Sequence, residues 1–310
     1  MLPSVPGRSA AIVAGAALTI AVALSGCTSS TPAPAGTGDS LIAVVCSTDV
    51  YGDIAAVIGG DRVEVSSILT DPTRDPHSFE GSARVQLNLS KAEVVIKNGG
   101  GYDDWVDTLL AGANNPDAIL INAVDVSGFD QKPVSGQFNE HVFYSFTAMG
   151  RLADTLAKEF STLRPDAASS FTGNAEGFKA SLAGLIARTD EIKDMFAGTG
   201  VAVTEPVPGY LTEAAGLINK TPEGFSAAIE VGTDIPPAVL ADTLALFSSK
   251  SVAVLLYNEQ TSGPQTEQVL AAAKVAGVSV VPVRETLPAD TDYLTWMSTN
   301  VAALKTSLGG

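Results

Sequence analysis

Two kinds of hydrophobic pattern alternate along residues 41–308. Short, nearly continuous apolar runs at 40–47, 63–69, 94–96 and 118–122 predict strands. Between them, residues 50–58, 83–89 and 102–111 carry apolar positions at helical spacing. Residues 142–160 also read as a helix. Residues 166–196 then form one long proline-free stretch, with Phe171, Phe178, Leu182, Leu185, Ile192 and Met195 at steps of three, four and seven. Pro165 and Asp166 suit its start and Gly198 its end, while Gly173, Gly177 and Gly184 weaken its interior. The alternation then restarts, with strands at 200–204, 227–231, 252–257 and 278–283. Helices are expected at 208–217, 236–248, 264–276 and 292–308. Strand–helix alternation of this sort means parallel sheets. The expected fold class is therefore α/β, with one lobe over 41–165, a linking helix over 166–198 and a second lobe over 199–310.

The N-terminal residues follow neither pattern. Arg8 precedes an apolar run from Ala10 to Ala23, and Leu24-Ser25-Gly26-Cys27 closes it with small residues and a cysteine. Residues 1–26 read as a secretory signal peptide, and Cys27 resembles the lipidated residue of a bacterial lipobox. The run is too short for a dedicated membrane span. Residues 27–40, rich in Thr, Ser, Pro, Ala and Gly, read as a flexible tether. The chain would then be held by a lipid at the outer face of the cell membrane. Cys46 has no remaining disulfide partner and reads as a small buried hydrophobe.

Charge narrows the partners. The formal net charge is −16. Losing residues 1–26 removes one basic residue and no acid, giving −17 for the mature chain. This argues against nucleic acid and anionic lipid as partners and is compatible with a cationic ligand.

The chain contains only two histidines, both in polar segments. His77 lies in Asp75-Pro76-His77-Ser78-Phe79-Glu80 and His141 in Asn139-Glu140-His141-Val142-Phe143-Tyr144. Acids follow two of the apolar runs: Glu205 after 200–204 and Glu285 after 278–283. Parallel strands deliver their C-terminal residues to one sheet edge. Two imidazoles and two carboxylates, His77, His141, Glu205 and Glu285, thus make a four-ligand set for a first-row divalent metal. On spacing alone the solvated-loop reading of each residue is the stronger one, since no compact metal motif occurs. Glu259, at another strand end, reads as a supporting or solvated acid. Asp71 and Asp75 are candidates to orient His77. Tyr102 and Trp105 read as lobe packing.

The chain resembles, over residues 41–308, the metal-specific solute-binding lipoproteins of bacterial ABC transporters. The two His segments are similar to that family's first two ligand loops. Thr204-Glu205-Pro206-Val207-Pro208-Gly209-Tyr210 is similar to the third and Arg284-Glu285-Thr286-Leu287 to the fourth. Asn98-Gly99-Gly100-Gly101-Tyr102 is similar to its Asn-Gly-x-Gly stretch. Pro206 and Pro208 depart from the pattern at the third position, and the His-rich loop of many zinc-uptake members is absent. The resemblance implies two Rossmann-like lobes joined by a long backbone helix, with a metal cleft between them. It also implies a non-enzymatic carrier that captures Zn²⁺ or Mn²⁺ as transported ligand and delivers it to a permease. A metal-dependent hydrolase and an adhesin-type surface lipoprotein with incidental metal are the alternatives. An organic-solute binder is a third, disfavoured by the low aromatic content. For His ligands of ordinary pKa, about 6.5, affinity should fall below about pH 6.

Overall fold

The computed structural model describes residues 40–310, Ser135 excepted. The signal peptide, Cys27 and all of the tether except Ser40 lie outside the described residues. Among those residues, no helix is long and apolar enough to cross a membrane.

The first lobe opens with β1 (Ile42–Thr48), α1 (Asp49–Gly59), β2 (Val63–Leu69), α2 (Ala83–Leu89) and β3 (Val94–Lys97). It continues through α3 (Trp105–Ala113), β4 (Ile119–Asn122), α4 (Ala123–Ser127) and α5 (Phe146–Leu163). The long helix α6 (Ala168–Phe196) follows. The second lobe comprises β5 (Gly200–Val203), α7 (Gly209–Ala214), β6 (Ile218–Asn219), α8 (Glu223–Glu230), α9 (Pro237–Ser248), β7 (Val254–Asn258), α10 (Pro264–Ala276), β8 (Ser279–Val283) and α11 (Tyr293–Ser307). The strand orders are β2-β1-β3-β4 and β6-β5-β7-β8, with every pairing parallel. Each order reverses direction between its second and third strands. This leaves a crevice at the carboxyl edge, where ligands bind in such sheets.

Burial explains the apolar runs. All residues of β3 and β7 are buried, as expected for parallel strands covered on both faces. Helix α5 buries Phe146, Met149, Leu152, Leu156 and Phe160, a stripe at steps of three and four, and leaves its polar side in solvent. Ser145 caps its start by accepting from the Ala148 amide. One apolar core runs through both lobes, from Val44 and Ile96 through Phe178 and Leu185 of α6 to Val203, Leu256 and Trp296. Tyr144 and Tyr293 donate across it to the carbonyls of Arg284 and Phe143.

The structure adds the short elements α4 and β6, which the sequence did not announce, and differs in other segments. Residues 142–160 do not form one helix: Val142–Tyr144 is a 3-10 turn, and α5 starts anew at the Ser145 cap. Residues 227–231 are not a strand but the last turns of α8 and the residue after it. Asp166 does not cap α6, which is led in by a 3-10 turn over Pro165–Ala167.

Helix α6 is unbroken through Gly173, Gly177 and Gly184, which are exposed and whose absent Cβ atoms would meet nothing within 4 Å. Alanine at Gly177 or Gly184 should therefore stabilise the protein by about 0.5–1 kcal/mol each. Thermal unfolding should show Tm raised by about 2–4 °C per kcal/mol. A lowered Tm would mean that these positions need glycine.

Candidate metal centre

His77 comes from the loop after β2. Asp75 accepts from the His77 amide at 2.8 Å and caps the 3-10 turn Pro76–Ser78 that presents the ring. Trp105 packs on Phe79, its ring centre 4.5 Å away, and donates to the Pro76 carbonyl. Tyr102 lies edge-on to both imidazoles, at 4.9 Å from His77 and 5.6 Å from His141, and donates to the Glu285 carbonyl. Both aromatic residues, read from sequence as packing, thus brace the site. The chain reaches Tyr102 through Gly99, Gly100 and Gly101, all at positive φ. A Cβ on Gly99 would sit 2.2 Å from the Asn122 amide oxygen, so only glycine fits there.

His141 precedes α5 and is wholly buried. Its Nδ1 lies 2.9 Å from the Asn139 amide oxygen, which also accepts from the His141 backbone amide. That partner favours a proton on Nδ1, so Nε2 is the nitrogen available to a metal once its own proton is displaced. Asn139 is tied in turn to the second lobe: it donates to the Pro206 carbonyl, and Tyr210 donates to its own.

The second lobe supplies the acids. Glu285 follows β8 and is 1% exposed. Its Oε1 accepts from Asn258 at 2.7 Å, while Oε2 lies 3.5 Å from both His77 Nε2 and His141 Nε2. Glu230, the last residue of α8, places Oε1 3.1 Å from His77 Nε2 and 3.5 Å from His141 Nε2. Gln260 spans the cleft, accepting from the Glu285 amide and donating to the Arg74 carbonyl of the His77 loop.

Among the described residues, five of the six buried side-chain polar atoms without a hydrogen bond belong to this cluster. They are His77 Nε2, His141 Nε2, both oxygens of Glu230 and Glu285 Oε2. Buried polar atoms are normally satisfied. Five unsatisfied ones on four neighbouring side chains mark a place shaped for something positively charged that accepts lone pairs.

The structure brings together three of the four residues expected from sequence, His77, His141 and Glu285, with donor atoms within 4.8 Å of one another. Glu205 is 2% exposed but stands one step back. Its Oε2 accepts from Asn258, which also holds Glu285, and from the Thr261 hydroxyl. Glu230 takes the facing position, and sequence reading missed it. Read as a strand, its segment gave no such signal; only the structure puts this carboxylate in the last turn of a helix, where the helix dipole disfavours negative charge. Asp71 accepts from Thr73 and lies 3.8 Å from the Arg74 guanidinium, and Glu259 pairs with Arg284, both outside the cluster.

The charges are set by one another. Burial opposes charge on His141, yet the nearby carboxylates of Glu230 and Glu285 push its pKa up to about 9. His77 moves the same way for the same reasons, to about 11. Burial raises Glu285, but the two imidazoles override it and hold it at about 2. Burial, reinforced by the charge of Glu285, raises Glu205 to about 8. Two protons on the imidazoles thus balance two carboxylates, and a divalent cation can replace them charge for charge.

Residues 44–307 match the family of the periplasmic zinc-uptake complex component A, ZnuA. The chain belongs to this family. It is 23% identical over 292 residues, 89% of each chain, to a Treponema pallidum (strain Nichols) protein assigned as metal-binding. It is 25% identical over 206 residues to the manganese ABC transporter substrate-binding lipoprotein scaA of Streptococcus gordonii. That alignment covers 62% of this chain and 65% of the relative, under two thirds of its length. The fold is similar to that of the periplasmic zinc-binding protein TroA from Treponema pallidum, with TM-score 0.72 and 16% identity over 86% of this chain and 98% of that one.

Proposed function

We propose that this ZnuA-family protein captures one divalent transition metal ion, Zn²⁺ or Mn²⁺, outside the cytoplasm and delivers it to an ABC transporter permease. The observation that carries the proposal is the set of unsatisfied buried donors on His77, His141, Glu230 and Glu285. Two neutral imidazoles and two carboxylates neutralise a divalent ion in a cleft where uncompensated charge would be costly. Glu205 serves the site from behind, through Asn258 and Thr261. Four protein ligands fill a tetrahedral shell, whereas a catalytic metal keeps a position open for water, so the protein acts as a carrier and not as an enzyme.

Residues 1–26 would export the chain, and Cys27 would carry the lipid that keeps it at the outer face of the cell membrane beside the permease. Residues 27–40 would let the folded part reach it.

Elemental analysis of the chain from Ser40 onward, with competitive Zn²⁺ and Mn²⁺ titration, tests the central claim. One ion per chain is expected, lost in a His77→Ala/His141→Ala variant. Absence of stoichiometric metal, or equal binding by the variant, would refute it.

A further inference from the structure

The cluster contains two overlapping sets of donors. The inner set is His77, His141 and Glu285. A second set, His77, Glu140 and Glu230, also brings one donor atom from each residue within 4.8 Å of the others. The two sets differ in their access to solvent. A cleft of about 830 Å³ is lined by His77, Glu140 and Glu230, but neither His141 nor Glu285 reaches its wall. His141 and Glu285 are 0% and 1% exposed, while the side chains of His77 and Glu230 are 21% and 11% exposed. An ion arriving from the cleft therefore meets residues of the second set first, with the covered donor atoms of His77 and Glu230 lying just beneath the wall and those of His141 and Glu285 behind them.

The backbone at Glu140 is fixed. Its carbonyl accepts from the buried Asn98 side chain and from the Val142 amide, which fixes the turn leading into His141. Adjacent residues of one turn thus serve the two positions, His141 the inner and Glu140 the outer. Both Glu230 oxygens are shut off from solvent and lack a hydrogen bond, so this carboxylate has free lone pairs for either position.

We infer that His77, Glu140 and Glu230 form an outer binding position for a divalent cation, from which the ion moves inward. The inference rests on reading the inner cluster as a metal site. In the transfer the ion keeps His77 and Glu230, releases Glu140 and water, and gains His141 and Glu285. Only ligands exchange, with no change of oxidation state. Because the two positions share His77 and Glu230, one ion occupies them at a time and the stoichiometry stays at one per chain. A charged outer ligand at the mouth also replaces hydration water stepwise, which lowers the barrier to entering a closed site.

The test uses the full mature chain and Zn²⁺ alone. A His141→Ala/Glu285→Gln variant should still bind one zinc, more weakly than the unsubstituted chain. Adding Glu140→Gln should weaken that remaining binding by at least about tenfold. No zinc on the double variant, or indifference to Glu140→Gln, overturns the inference. If circular dichroism shows the double variant unfolded, loading rates in the otherwise unsubstituted chain decide. Glu140→Gln should slow zinc loading by about fivefold or more, against less than about twofold for Asp234→Asn on the same cleft wall. Equal slowing by both overturns the outer position. Failure of the underlying reading looks different, because the unsubstituted chain itself then takes up no zinc.

Discussion

Glu230→Gln should weaken zinc binding by more than about a hundredfold, and Glu205→Gln by about 10- to 100-fold, the range for groups that support a ligand. The order follows from what each carboxylate already touches. Both oxygens of Glu230 lack hydrogen bonds and one lies 3.1 Å from His77 Nε2, so an amide there removes charge and half of the lone-pair capacity at the ion. Glu205 spends an oxygen on Asn258 and Thr261, and its loss reaches the metal through the Asn258 contact with Glu285 and through its charge. Competitive titration with a chelator, on both variants and with folding checked by circular dichroism, reads the ranking. If Glu205→Gln weakens binding more than Glu230→Gln, then Glu205 is the ligand and Glu230 belongs to the mouth of the cleft.

Zinc affinity should still be rising between about pH 7 and about pH 8.5, by close to a hundredfold per pH unit. Protons and metal compete for the same imidazole nitrogens. Nearby carboxylates hold His141 at about 9 and His77 at about 11, so both imidazoles of the metal-free protein are protonated at neutral pH. Each ion bound must then displace about two protons, and the affinity falls as pH falls through this whole range. Histidines with the ordinary pKa of about 6.5 would instead give a plateau above about pH 7.5. The expectation from sequence, a loss beginning below about pH 6, is moved upward by the carboxylates that tertiary structure places beside the rings. Titration at several pH values gives the slope, and proton release in weak buffer gives the count. A flat affinity above about pH 7 with little proton release would show the imidazoles to be neutral before metal arrives.

The sequence by itself determined most of the elements. Parallel strands buried on both faces must be apolar throughout, so 94–96 and 252–257 stand out, and amphipathic helices betray themselves by a repeat near 3.6. Helix α10 begins at Pro264 and ends before Gly277, and both limits were legible for that reason. His77 and His141 were legible because histidine is so rare in this chain, and Glu285 because it follows an apolar run that could only be a strand.

Tertiary structure alone decided what these residues do together. Glu230 lies in Ala227-Ala228-Ile229-Glu230-Val231, which reads locally as a strand, and the fold makes it the end of α8. Glu205 follows its strand as Glu285 does, yet Asn258 and Thr261 reach it first. Local periodicity records which face of an element is buried. It carries nothing about which loops, from strands far apart in sequence, converge on one point, or which buried atom is left without a partner. Those facts exist only when residues 77, 141, 230 and 285 share a cleft.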